Sequence, residues 1–455
     1  MKIELKHIPP PEFTFVEARP TVPVEEYERR LSTLYQAAQV DWVAVYADRE
    51  HYANLVYLLN FDPRFEEALL LLGPSSKRFL VLGNEDMGYT SVLPTPVELV
   101  LCQTFSLGGQ PRGTAAKLKA ALAGLGVHFG QTVSVVGWKY LEPGEGDEPG
   151  APAFIPAFFV DVLRALVSPG GKVVDGTALL MHPERGLRAL NSADQIAAFE
   201  WAARNASAAV FGVLHGARPG MSEMQAMRGM GYAGLPMSMH PIFVSGKGEL
   251  NGLRSPGDRV LEYGDAVSTA VGYWGSLVCR AGLMLGEPDW SFFESIVAPY
   301  YHALTTWYTT ASLGVTGDEI ARAVSRAFDG SPLHSMLNPG HLTSYDEWLH
   351  TPVRPGSDEK IASGMVFQSD IIPTPLPPGR ALNCEDTVAF ADSTLRAEIR
   401  ARHHGLWERV QGRRRFIQDA LGVSLPEEIL PLSDGVLYLP PFWLAADYVC
   451  TVADE

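Results

Sequence analysis

The sequence is 455 residues long, enough for two or three domains, and 36 Lys+Arg against 52 Asp+Glu leave a net charge of −16. A balance this acidic argues against nucleic acid or an anionic membrane as the main partner, because both need a net basic face. Apolar residues at 46% and charged residues at 19% fit an ordinary folded protein rather than a disordered one, and 43 Gly with 34 Pro predict many turns, short strands and long loops.

The N-terminus, Met1-Lys2-Ile3-Glu4-Leu5-Lys6-His7, is too charged for the apolar core of a signal peptide. Residues 21–41 carry helical spacing and lead into a β-rich run at 42–46. A strand pair follows at 67–73 and 78–83, turned by Pro74, Ser75 and Ser76, with a further strand at 132–137. Helical patterns at 113–125 and 155–167 alternate with these strands, which reads as an α/β arrangement. Residues 142–150, rich in Glu, Pro and Gly, form a polar loop. The longest apolar run, 151–167, is interrupted by Pro156, Asp161 and Arg164 and is too short and broken to span a bilayer. Ser168-Pro169-Gly170-Gly171 breaks the next helix, so residues 1–178 are expected to form an α/β domain and 179–455 a second domain.

The second half changes character. Ser192-Ala193-Asp194-Gln195 has the form of a capping box, and Ile196, Phe199, Ala203, Ala206, Val210 and Val213 continue it at helical spacing. Thr316-Gly317-Asp318-Glu319 opens a second such helix. Short strands are expected at 241–244, 266–270, 276–279, 365–369 and 385–391, and long helices among antiparallel strands read as α+β. A basic helix after residue 400, with Arg409, Arg413, Arg414 and Arg415, is expected to present a solvated face. The apolar tail 437–444 is expected to pack on the body. Cys102, Cys279, Cys384 and Cys450 are too scattered for a structural zinc site or a disulfide scaffold and read as buried thiols. A cytoplasmic location is expected.

Several motifs fail on context. Gly229-Met230-Gly231-Tyr232-Ala233-Gly234 matches a dinucleotide fingerprint but follows a helix-like segment, not a strand. Asn205-Ala206-Ser207 lies inside a predicted helix. There is no HExxH, P-loop or GxSxG nucleophile elbow. The informative constellation is residues 340–386: Gly340-His341, Leu349-His350, a run from Gly364 to Asp370, and Asn383-Cys384-Glu385-Asp386. Two imidazoles and two strand-borne carboxylates that converge suit metal ligation or general acid–base work on an amide; scattered polar residues at strand ends are the alternative.

The order and spacing of this segment resemble the creatinase, aminopeptidase P and prolidase family of pita-bread hydrolases. There Gly-His precedes a second His, then Gly-Met-Val-Phe-x-x-Glu-Pro, then a strand with a closing Glu. Further likeness lies in 187–196, Arg218-Pro219-Gly220-Met221-Ser222-Glu223, Ser245-Gly246 and Leu261-Glu262-Tyr263-Gly264-Asp265. In the first half it lies in Arg29-Arg30, Asp48-Arg49-Glu50-His51 and Tyr57-Leu58-Leu59-Asn60-Phe61. The resemblance spans nearly the whole chain and implies a creatinase-like α/β N-terminal domain followed by an α+β pita-bread domain with a C-terminal extension.

The ligand pattern departs from the family. Its metal-dependent members hold two divalent ions with two Asp, one His and two Glu. His341 matches the His, Asp370 stands where a Glu is expected, and Glu385 matches the last Glu. Ala270 and Leu277 fall at the two Asp positions, in a shortened hairpin, and residues 266–286 contain no acid at all. The family's upstream His is replaced by Asn251-Gly252-Leu253-Arg254. Two adjacent divalent ions need several anionic ligands, so the expectation is no metal or a single divalent metal on His341, Asp370 and Glu385, and not a dinuclear centre. His350, Glu385 and Asp370 are the expected catalytic groups, with His350 beside the substrate carbonyl or, alternatively, structural. His341, Arg280 and Arg254 are expected to face substrate, Arg280 having the alternative of a carboxylate partner that holds the hairpin. The implied function is metal-independent or weakly metal-dependent hydrolysis of a C–N bond in a small peptide or amide, by a peptidase-family protein whose dinuclear metal site is degraded. The alternatives are a non-catalytic pseudo-peptidase that binds a peptide or small polar ligand, and a conventional metal-dependent Xaa-Pro peptidase. The family's common homodimer is the expected assembly.

Overall fold

The computed structural model describes residues 1–146, 148, 150–250 and 252–453. The first strand, β1 (Ile3–His7), runs antiparallel to the last, β18 (Tyr448–Val452). Met1–Thr21 therefore groups with Ala189–Glu455 in one compact unit, and Val22–Arg188 forms the other. This differs from a division at residue 178. The N-terminal segment changes sides because its strand pairs with a partner more than four hundred residues away in sequence, a match that local pattern does not encode.

In the unit Val22–Arg188 the sheet order is β5-β4-β3-β2-β6-β7. Its strands are β2 (Trp42–Ala47), β3 (Ala68–Gly73), β4 (Lys77–Leu82), β5 (Glu98–Leu101), β6 (Thr132–Val136) and β7 (Lys172–Asp175). β2, β3 and β4 form an antiparallel centre, while β5 joins β4, and β6 and β7 join β2, in parallel. β2 and β3 are buried throughout, as expected of strands that read as continuous apolar runs. Trp42, Leu69, Leu71, Phe79 and Val135 meet Leu118 and Leu122 of one helix and Phe159 and Leu163 of another in a single core. The polar loop at 142–150 includes Asp147 and Pro149, which lie outside the described residues.

The other unit is built on the 24-residue helix Ala193–Gly216, which is buried along most of its length and packs on β9 (Ala266–Tyr273) and β10 (Ser276–Leu283). Ser192 caps it, its side chain accepting from the Gln195 N–H. At the start of Gly317–Ala327 the capping box of Thr316 and Glu319 is complete. β9 and β10 lie in an antiparallel sheet of order β15-β10-β9-β8, with β8 (Ile242–Gly246) and β15 (Asn383–Glu385). Only Trp274 and Gly275 link β9 to β10. Gly275 has φ 106°, and a Cβ there would sit 2.0 Å from the Phe199 ring, so this turn requires glycine.

A second antiparallel sheet, β12-β13-β16-β17, consists of β12 (His341–Leu342), β13 (Val366–Gln368), β16 (Thr387–Phe390) and β17 (Ile429–Pro431). The short strands β11 (His334–Ser335) and β14 (Pro373–Thr374) pair antiparallel with each other. The 437–444 tail is largely buried, as expected. The helix His404–Asp419 is not simply a solvated basic face. Arg409 and Arg413 both bind the buried Glu200, Arg413 also binds Asp434, and Arg414 donates to three backbone carbonyls. A buried acid on a distant helix draws these arginines inward, which the charge pattern of their own helix does not reveal. All four cysteines are free and buried. Among the described residues no helix is long and apolar enough to cross a membrane.

Candidate metal centre

Residues directly opposite one another on paired strands share a face. Glu385 is opposite Cys279, Cys279 is opposite Ala270, and Ala270 is opposite Ile242. One face of the sheet therefore presents these four side chains as a row across β15, β10, β9 and β8. Leu277, two residues from Cys279, shares the face, and Ile242, Ala270, Leu277 and Cys279 form a buried apolar cluster with Met239 packed against it. Glu385 is the acid at the end of this row.

The second sheet brings up the remaining groups. Gly340 has φ 104°, and a Cβ there would lie 2.9 Å from the Gln368 carbonyl, so glycine lets the chain turn tightly into β12. His341 follows, opposite Gln368 in the β12–β13 register. Asp370 lies two residues beyond β13. One ligand atom each of His341, Asp370 and Glu385 lies within 4.8 Å of the others, and all three residues are buried. Gln368 ties the two sheets together: its Nε2 donates to the Leu277 carbonyl at 2.6 Å and to Glu385 Oε1 at 3.3 Å, and its Oε1 accepts from the Thr387 hydroxyl.

The donor set suits a cation. His341 Nδ1 lies 3.2 Å from the Leu342 carbonyl; donation from that nitrogen leaves Nε2 as the ligating lone pair, the arrangement usual for metal-bound histidine. Neither His341 Nε2 nor Asp370 Oδ1 has an aligned hydrogen-bond partner, although both are buried. Burial pushes the Asp370 carboxyl up to about 6, with Glu347 adding to the effect and His341 opposing it. Burial and the nearby Asp370, Glu347 and Asp386 push Glu385 well above the usual carboxylate range. Two buried acids this close without a cation cannot both ionise cheaply. Burial, then Glu385 and Asp370, also push the Cys279 thiol up, so it remains a neutral part of the wall.

Glu347 was not singled out from the sequence. Its Oε1 lies 3.0 Å from His341 Nε2, within ion-pair range. Burial opposes charge on His341, but Glu347, together with Asp370 and the Leu342 carbonyl, outweighs it and the imidazole pKa is raised. The next residue, Trp348, stacks on the His341 ring at a centroid distance of 4.0 Å and an interplanar angle of 20°. Trp348 also lines a cleft of about 720 Å³ together with His334, Met336 and Leu337. The only sequence signal for Glu347 was an acid between two histidines.

The other expected site residues fall as follows. His350 pairs through its backbone with Leu342, the neighbour of His341, and its Nδ1 accepts the Thr351 N–H at 2.8 Å. Arg280 points to the opposite face of β10. Its guanidinium is fully buried and donates to both oxygens of Asp386 at 3.0 and 2.8 Å and to the backbone oxygens of Cys279, Glu385, Gly435 and Tyr438. It therefore holds the hairpin rather than a substrate, because strand alternation sends Cys279 and Arg280 to opposite sides. Arg254 is bound to Glu223 at 2.8 Å, and Glu223 also accepts from the Ser245 backbone and hydroxyl. Asn251 lies outside the described residues. Asp265 is structural, buried and paired with Arg259 at 2.6 Å.

No protein-family model and no curated protein matches the sequence. Solved structures do match it. The Xaa-Pro dipeptidase from Bacillus anthracis superposes with a TM-score of 0.60 at 16% identity, covering 82% of this chain and 96% of that one. The prolidase from Pyrococcus horikoshii OT3 gives 0.61 at 14% identity, over 81% and 95%. The X-Pro aminopeptidase from Thermotoga maritima MSB8 gives 0.61 at 16% identity, over 80% and 95%. At such identities the likeness shows the fold. The chain has the pita-bread fold of the creatinase, prolidase and aminopeptidase P family.

Proposed function

Starting from that fold, we propose that the protein hydrolyses the C–N bond of a small peptide or amide, with a single divalent ion held by His341, Asp370 and Glu385. The observation that carries this reading is the convergence of three buried ligand atoms within 4.8 Å, two of them on side chains with an unmatched polar atom. Ala270 and Leu277 support one ion rather than two, since neither side chain offsets a second charge. When bound, such an ion supplies Lewis acidity toward an amide carbonyl.

The chain's own groups take the remaining tasks. Gln368 steadies the Glu385 carboxylate by donating to it. Asp370 and Glu385 are the acids and bases next to the reacting bond. We assign His350 the place beside the substrate carbonyl, where it would steady a developing oxyanion.

A second reading, a pseudo-peptidase that binds a peptide without cleaving it, draws on the same apolar row. Elemental analysis of protein purified without chelator, counting Mn, Zn, Co and Fe, is expected to give one ion per chain. A panel of Xaa-Pro dipeptides and small amides is then expected to show turnover that Glu385→Gln abolishes. Metal bound with no turnover on any compound would favour the binding reading. Two ions per chain would overturn the single-ion site.

A further inference from the structure

Resting on the hydrolytic reading above, we propose that the row beside Glu385 is the subsite for an apolar side chain of the substrate, so that the protein acts on peptides or amides that carry such a side chain next to the scissile C–N bond. Ile242, Ala270, Leu277 and Cys279 are buried, yet each keeps 4–6% of its surface exposed. Their chain neighbours Phe243, Val271, Val278 and Arg280, which the strand pleat sends to the opposite face, keep 0%. Asp370 and Glu385 retain a similar small exposure, 7% and 6%. The side of the sheet that carries Glu385 is thus the side that solvent reaches, and along this row it is apolar up to the acid.

Register sets the scale. Neighbouring strands lie about 4.8 Å apart, and Cys279, Ala270 and Ile242 follow Glu385 on successive strands. A side chain attached beside a bond held at Glu385 therefore meets Cys279 first and Ala270 next. Half-buried Met239 packs against the same cluster, and its unbranched thioether adapts to guests of different shape. Charge sets the class. Past Glu385 the row offers no charged partner, and the polar groups of the next row, Asn383 Nδ2 and Ser268 Oγ, lie 3.5 and 3.9 Å from Cys279 Sγ. A Lys or Asp side chain laid on the row would lose its hydration without a counter-charge, whereas Leu or Met would gain from burial. The two residues that leave the site short of acids, Ala270 and Leu277, thereby give it an apolar wall.

The test uses the full-length protein supplied with Mn²⁺ and two series of dipeptides, Xaa-Ala and Ala-Xaa, in which Xaa is Gly, Leu, Met, Asp or Lys. In one series kcat/KM is expected to be at least about tenfold higher for Leu and Met than for Gly, the order that methylenes are worth in an apolar pocket, and lowest for Asp and Lys. Ala270→Leu, which fills the row, is expected to reduce the Leu-to-Gly ratio at least about tenfold. A ratio within one variant does not depend on how much of it is folded. Should Ala270→Leu fail to fold, Leu277→Ala is the second variant, expected to shift the preference from Leu toward Phe. Calorimetry with the same dipeptides gives a readout apart from turnover. Turnover at equal kcat/KM across the side chains, a preference for Asp or Lys, or a ratio that the variant leaves unchanged overturns the subsite and leaves the hydrolytic reading standing. No turnover, with Leu dipeptides bound at least about tenfold more tightly than Gly dipeptides and the difference lost in the variant, upholds the subsite and overturns the hydrolytic reading. Neither turnover nor selective binding overturns both.

Discussion

Arg280 uses all of its donors inside the protein, on Asp386 and on four backbone oxygens. Removing one partner of a buried ion pair leaves an uncompensated charge, at a cost of about 3–5 kcal/mol. Arg280→Met is therefore expected to lower stability by that order in urea unfolding, and Arg280→Met combined with Asp386→Leu is expected to recover much of it. A single variant as stable as the natural protein would show that Asp386 is neutral in the fold. The residue type was legible in the sequence, and so was the possibility of a carboxylate partner. Which face of β10 it takes was not, because a one-residue change of register exchanges Cys279 for Arg280. Glu347 was illegible for a different reason. It lies in a loop, and only the folded path of that loop brings it to His341.

At the scale of elements, the site is a junction of two sheets. β15 and β10 place Glu385 at the end of an apolar row, and β12 and β13 bring His341 and Asp370 to meet it. The row explains why a chain with 52 acids has few at its site: the face across β9 and β10 is filled by Ala270, Leu277 and Cys279. Replacing Ala270 and Leu277 together by Asp is expected to raise the Mn²⁺ count from one to two per chain by elemental analysis. Without metal the double variant is expected to melt at lower temperature, since buried carboxylates without partners are costly. A count that stays at one would mean that these positions do not face a second ion. The strands are expected from the sequence, whereas their faces and the junction required the two sheets to pack, since β9 and β10 are buried almost throughout and show no alternation of buried and exposed residues.

At the scale of the whole molecule, the first 21 residues belong with the C-terminal unit. β1 covers the edge of β18, Phe13 stacks on Phe211 at 3.8 Å, and the Val16 carbonyl accepts from the Trp201 indole at 2.7 Å. A fragment of residues 22–188 is accordingly expected to fold alone with a cooperative thermal transition, having its own core. A fragment of residues 189–455 is expected to aggregate or melt early, because it exposes an unpaired strand edge and the Phe211 surface. Cooperative folding of 189–455 at the stability of the intact chain would show that the N-terminal segment contributes little.

By itself the sequence determined the local order of helices and strands and the α/β first half and α+β second half, and through the family resemblance it pointed to His341, Asp370 and Glu385. These rest on short-range periodicity, capping and motif order, which are written in consecutive residues. The tertiary structure alone decided that Arg280 turns away from the site, that Glu347 turns toward it, and that β1 closes on β18. Each of those outcomes depends on strand register or on a contact between residues remote along the chain or held by a loop. Such contacts are set by packing and by the need to pair every buried polar group, not by the residues immediately before and after.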